Sequence, residues 1–463
     1  MGPIGANIRA LGRRLLSRRS AGGTPGAAPG PQADLVVEPL SDRTADAAAA
    51  ALADSFTDDL YLALARLPGR AVVRGLGGRG AAPADRAPPA PEASVVVPLA
   101  ARWRLSGEMH GEPAGGGIRV RLDLRPASGR TRWTGHFADS TPDFAAVLET
   151  ALTEVADALD VAPAQVPSVT DLHGIRGGPA YLAVLQGRHY VSLPGRRRQE
   201  QARRLFREAV TLDADYARAW AELADCNARI YAYSVAEESL RGEAAEAVSR
   251  ALTLAPAHPG SHVAAGRVAM LFDRWGDAQA HFSRALALQP NHYNALYQFG
   301  RACMHQGEHL RAAELYRAAA GVMPHEYQAT LLAAQAYEQL GDAVQAAAWA
   351  REGVARVTRH HEAFPDDGRA LSMGAAAFLR PGDHAAARDW INRALALDPD
   401  DVAVHYNAAC LYARLGDVDT ALDCLERLEL RQMANRAWVE NDPDLAGLRA
   451  HPRFQRLLRA LSA

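Results

Sequence analysis

The sequence predicts a small α/β domain followed by an all-α solenoid of paired helices. Three observations carry that prediction. Residues 102–133 alternate apolar and polar like strands, the chain turns Ala/Leu-rich and helical from about Gly178, and prolines that close a recurring motif, Pro290 and Pro324, stand 34 residues apart.

Composition narrows the functional classes. The 463-residue chain is 48% hydrophobic and 22% charged, too apolar for wholesale disorder. It holds no run of about 18–20 apolar residues, so no membrane-spanning helix is predicted. The 51 basic residues nearly balance the 53 acidic ones, which gives no general attraction to nucleic acid. All 51 basic residues are arginine. Chemistry that needs an ε-amine, such as a phosphate-loop lysine or a lysine Schiff base, is therefore excluded. The cysteines (Cys226, Cys303, Cys410 and Cys424) form no CxxC pair. Reduced thiols and a cytoplasmic location follow as expectations.

Residues 1–33 read as a disordered basic leader, with Arg9, Arg13, Arg14, Arg18 and Arg19 and no acid. They lack the apolar core of a secretory signal. A short basic amphipathic helix over Ile8–Leu16 is the structured alternative.

Residues 34–160 read as the α/β domain. Leu35–Val37 is a strand, and Phe56, Leu60, Leu64 and Leu67 mark a helix that also carries Asp58 and Asp59 as surface acids. Pro68-Gly69 ends it, Ala71–Val73 is a second strand, and residues 75–93 form a Gly/Ala/Pro loop. In the next strands, Leu105 and Met109, then Val120, Leu122 and Leu124, alternate with polar residues. A closing helix with Leu148, Leu152, Val155 and Leu159 covers their apolar face. The opposite face collects Arg104, Arg119, Arg121 and Arg125, which suits either plain solvation or an anionic ligand or partner.

Leu35-Val-Val-Glu-Pro-Leu, Ala53-Asp-Ser-Phe-Thr-Asp-Asp-Leu, Trp103-Arg-Leu-Ser-Gly-Glu and Ile118-Arg-Val-Arg-Leu-Asp-Leu resemble the bacterial TolB-like amino-terminal domain. The resemblance implies a module joined to tetratricopeptide repeats and to a signalling effector, often a class III adenylate cyclase or a transcriptional regulator. Pro98 departs from it, standing where that family has a second helix.

After a linker at 161–177, residues 178–436 form the repeat array. Phe282-Ser-Arg-Ala-Leu-Ala-Leu-Gln-Pro290 is echoed by Trp390-Ile-Asn-Arg-Ala-Leu-Ala-Leu-Asp-Pro399. Gly266, Ala278, Phe282 and Ala285 recur in phase as Gly300, Ala312, Tyr316 and Ala319. Gly307, Gly341, Gly382 and Gly416 fall where a left-handed residue turns one helix into the next. These residues resemble the tetratricopeptide repeat, which implies a right-handed superhelix of about seven copies. The second copy carries about eight extra residues within 230–239. Residues 437–463 supply a cap through Leu445, Leu448, Phe454, Leu457 and Leu458.

No catalytic, cofactor or metal site is predicted. Gly75-Leu-Gly-Gly-Arg-Gly80 opens into a proline-rich loop where a dinucleotide site needs a helix. His360-His361-Glu362 lacks a metal-protease spacing and reads as a solvated loop. What remains is the groove lined by the first helices of the repeats. Its inward positions hold Val263, Arg267 and Met270; Asn294, Tyr297, Arg301 and His305; Leu331 and Gln335; Tyr406 and Arg414. This mixture suits a peptide, with Arg301 or Arg414 available for a carboxylate. The sequence thus predicts a non-enzymatic scaffold that binds protein or peptide partners, with no nucleic acid or cofactor. The alternative is the regulatory half of a cyclase or transcriptional regulator whose effector is absent or separate.

Overall fold

The computed structural model describes residues 33–42 (39 excepted), positions within 53–67, 72–74, 101–111, 118–139 (128 excepted), 144–168 (167 excepted), 178–192 and 196–233. It further describes 237–323, 326–379, 382–429 (398 and 400 excepted), 439–440 and 442–461. The leader helix at Ile8–Leu16, the glycine motif Gly75–Gly80 and Pro98 lie outside the described residues. The chain divides into two compact units. One spans the described residues up to Tyr190 with Arg204–Ala219; the other spans Val191–Arg203 and Trp220 onward.

The first unit is built on a six-stranded mixed sheet. Its strands are β1 (Ala33–Val37), β2 (Ser41–Asp42), β3 (Val72–Arg74), β4 (Ala101–Gly111), β5 (Ile118–Pro126) and β6 (Trp133–Asp139). Strand β1 pairs parallel with β3 and β4, while β4, β5 and β6 run antiparallel. The register sets Leu105 opposite Leu124 and Met109 opposite Val120. All four are buried, as the period-two pattern requires. Helix α1 (Phe144–Ala158) packs on β5 and β6 and buries Leu148, Leu152 and Val155. Strand β2 was not legible in the sequence, because two residues are too few for alternation to show.

Among the described residues seven helical hairpins follow. They are α2 (Gly178–Ser192) with α3 (Arg196–Leu212), α4 (Ala217–Tyr233) with α5 (Glu238–Leu254), α6 (Pro259–Leu271) with α7 (Trp275–Leu288), and α8 (Tyr293–His305) with α9 (His309–Val322). Then come α10 (Gln328–Gln339) with α11 (Ala343–Ala363), α12 (Gly368–Leu379) with α13 (His384–Leu397), and α14 (Val402–Arg414) with α15 (Val418–Glu429).

In four hairpins a ring of the second helix packs on a glycine of the first, Phe206 on Gly187, Phe282 on Gly266, Tyr316 on Gly300 and Trp390 on Gly374. A Cβ added at Gly266 would stand 2.4 Å from the Phe282 ring, and one at Gly300 would stand 2.7 Å from Tyr316. The Phe282 ring also reaches Phe299 of the next hairpin, centroid to centroid 6.0 Å. One ring therefore closes a hairpin and joins it to its neighbour. The inter-helix turns use positive φ at Gly307, Gly341, Gly382 and Gly416, at 71°, 72°, 87° and 75°. In the third hairpin Asp273 occupies that place at φ 55°.

The described part of the insertion in the second hairpin lengthens its two helices. Its arms have 17 residues each, against 13 and 14 in the third hairpin. About one added turn per arm keeps the buried faces aligned. Helix α11 runs to 21 residues and carries His360, His361 and Glu362, correcting the loop expected there. The His360 ring packs against Tyr327 and Phe364 and bonds Asp367 at 2.9 Å, which holds the extra turns.

A 3-10 turn at Pro443–Leu448 packs on α14, and helix α16 (Pro452–Ala460) packs on α15. They bury Leu445, Leu448, Phe454, Leu457 and Leu458. Among the described residues no helix is long and apolar enough to cross a membrane.

Candidate interaction groove

Side chains tie the first helices of the hairpins to one another. Arg267 on α6 pairs with Asp225 on α4. The Tyr297 hydroxyl on α8 donates to Gln328 on α10 at 3.1 Å. Asn407 on α14 donates to the Ser372 hydroxyl on α12 at 3.1 Å. Arg414 reaches Glu338 on α10 at 3.1 Å and stands 3.7 Å from Asp444 of the cap.

These bonds sort the predicted groove residues. Arg267 is 6% exposed, and its charge is met by Asp225. Burial alone would raise the Asp225 pKa, but Arg267 and Arg229 outweigh it and hold the carboxyl below its ordinary range. Tyr406 is covered by the cap, its hydroxyl donating to Asp442 at 2.6 Å. Burial and the Cys410, Asp442 and Asp444 groups beside it raise the Tyr406 pKa. Tyr297 is buried, stacked on Tyr293 and edge-on to Tyr316. Its ring belongs to the hairpin, and the residues around it supply the open surface. Asn294 and His305 are exposed, Arg301 and Gln335 are half-buried, and His305 stacks on Trp275 with centroids 4.9 Å apart. Of the predicted groove residues, Asn294, Arg301 and His305 on α8 and Gln335 on α10 keep exposed surface.

A second polar cluster is buried around Asp59. Asp59, expected as a surface acid, is fully buried. Its carboxylate accepts from Arg218 at 2.7 Å and from the Tyr181 hydroxyl at 2.6 Å, with Arg188 at 3.6 Å. Burial and the Asp59 charge push the Tyr181 hydroxyl well above its ordinary pKa. The partners lie more than a hundred residues away in sequence, so no local pattern reveals them.

The arginine face of the sheet is largely self-paired. Arg104 bonds Glu38 at 2.8 Å, and Asp123 lies within 3.5 Å of both Arg121 and Arg125. Burial opposes the Asp123 charge, but the Thr134 hydroxyl at 2.6 Å and the two arginines hold its pKa below the usual range. An anion there would compete with these acids.

All four cysteines are unpaired and buried. Burial pushes the Cys226 and Cys303 thiols up to about 12, far from thiolate chemistry at neutral pH. Cys410, Asp442 and Asp444 gather within 4.8 Å. Tyr406 and Arg414 already answer the two carboxylates, so this cluster latches the cap to α14.

Residues 263–323 and 354–402 match one tetratricopeptide repeat family model, and 390–423 match a second. Similar solved structures include a human IFIT1 dimer with m7Gppp-AAAA, at 11% identity over 68% of this chain and 76% of that one, TM-score 0.44. A tetratricopeptide repeat protein from Parabacteroides merdae is 12% identical over 62% of this chain and 100% of its own, TM-score 0.36. The pilF protein of Pseudomonas aeruginosa is 16% identical over 47% of this chain and 92% of its own, TM-score 0.33.

Proposed function

We propose that the chain, whose residues between 263 and 423 carry tetratricopeptide repeats, is a non-enzymatic cytoplasmic scaffold that binds protein partners through those repeats. The partner segment lies along α8 and α10, where Asn294, Arg301, His305 and Gln335 meet it. One observation carries this reading. Arg267 is buried against Asp225 and Tyr406 is bonded to Asp442 under the cap, whereas Asn294 and His305 keep exposed surface. Arg301 offers a guanidinium fork for a carboxylate or backbone carbonyl, and the His305–Trp275 stack offers an apolar shelf beside it. Reading residues 34–160 as a TolB-like regulatory module rests on residue resemblance alone and is a proposal of the same kind.

The test is affinity capture with the full chain, run in parallel with Arg301→Ala/His305→Ala and with Arg284→Ala on the exposed side of α7. A partner retained by wild type and Arg284→Ala but lost by the double variant supports the groove. Equal capture by all three moves the binding surface elsewhere.

A further inference from the structure

We propose that His262 and His281 form a two-imidazole seat for a late first-row divalent cation, zinc above all, clamped across the third hairpin. His262 stands on α6 and His281 on α7, with their Nδ1 atoms 3.2 Å apart. Two nitrogens bound to one tetrahedral zinc at about 2.0–2.1 Å stand roughly 3.3 Å from each other. The observed gap meets that separation without backbone movement. Both rings are half-buried, so water can complete the coordination.

The other face of His262 supports the assignment. Its Nε2 lies 2.9 Å from the Pro256 carbonyl, and a carbonyl can only accept, so Nε2 carries the proton. The lone pair of this ring is therefore on Nδ1, aimed at His281. A ring N–H anchored to a backbone carbonyl is the usual orientation of a metal-ligating histidine. His405 makes the same bond to the Pro399 carbonyl at 2.8 Å, also six residues upstream. Among the described residues the proline-carbonyl contact recurs at His405, whereas a second imidazole faces the lone pair at His262.

The surroundings tolerate a cation. Asp277, one turn before His281 on α7, adds negative charge, while Arg274 opposes it. His258 is not part of the seat, because its Nδ1 accepts from the Ser261 backbone at 3.1 Å. Without a cation, His281 donates Nδ1–H to His262. On binding, that proton moves to Nε2 of His281, and both Nδ1 lone pairs face the metal with no net proton release. Imidazole pairs suit zinc, copper and nickel over magnesium or calcium.

The experiment is titration of the tag-free full chain with zinc chloride, followed by calorimetry and by imidazole NMR signals. The expected result is one zinc per chain, with the His262 and His281 ring signals shifting together. His281→Gln and His262→Gln should each weaken binding at least tenfold, and His110→Gln on the sheet should leave it unchanged. Zinc binding that is equal in wild type and in His262→Gln/His281→Gln overturns the proposal. So does saturable binding that leaves both ring signals of the wild type unmoved, a readout that needs no variant to fold. Absence of saturable binding overturns it as well.

Discussion

Replacing Phe282 by alanine tests the phase of the repeats and the reason for their small residues at once. The ring is fully buried, lies on Gly266 and reaches Phe299 of the next hairpin. Its removal loses the transfer free energy of the ring and adds about 24 cal/mol per Å3 of cavity left behind, together about 3–5 kcal/mol. Gly266→Ala pushes a methyl to 2.4 Å from the same ring, an overpacking loss of about 1–3 kcal/mol. In the double variant the methyl enters space that the ring has vacated, so the two losses should not add. Urea unfolding of the full chain, followed by helical circular dichroism, reads all four corners of this cycle. A stacked array can melt in stages, so the transition compared is the one that Phe282→Ala shifts. Strictly additive losses, or a Phe282→Ala loss below about 0.5 kcal/mol, would refute the packing argument.

Three further outcomes follow from single residues. Asp59→Ala strands Arg218 in a buried site and should cost about 3–5 kcal/mol by urea unfolding; a loss typical of a surface acid would mean the carboxylate is hydrated. Asp273→Gly removes a side chain from a left-handed turn and should stabilise the chain by up to about 1 kcal/mol, whereas Gly307→Ala, at φ 71°, should destabilise it by a similar amount. The Asp225 pKa is depressed in the folded state, so its pair stabilises the chain above the unfolded value near ~3.9, and that share is lost as pH falls through the folded value. Asp225→Asn should therefore cost most at neutral pH and progressively less below about pH 4, checked by denaturation across pH 2–7.

The repeats were legible because their signals are local and redundant. Gly266 and Phe282 lie on adjacent helices, and the turn glycines recur at one place in the repeat. Where one signal dropped out, as at Asp273, the neighbouring positions still held the phase. The sheet was legible for the same reason, since the buried Val120, Leu122 and Leu124 alternate with the polar residues Arg119, Arg121, Asp123 and Arg125. The failures share a cause. Asp59 is set by partners at positions 181, 188 and 218, and the extra turns of α11 by Tyr327 and Asp367. Local pattern carries no trace of such contacts. The groove was half legible: inward positions follow from the phase, but which of them face solvent depends on Asp225 and on the cap residues Asp442 and Asp444.

The most direct test of the account is the affinity of a captured partner for the wild type, for Arg301→Ala/His305→Ala and for Arg284→Ala, measured at one salt concentration. An interface centred on α8 should lose about 2 kcal/mol or more, roughly 30-fold in Kd, in the double variant. Arg284→Ala should leave the affinity within about twofold of wild type, the spread of ordinary surface changes. A larger loss from Arg284→Ala than from the groove pair would contradict the assignment of partner binding to the inward face of the repeats.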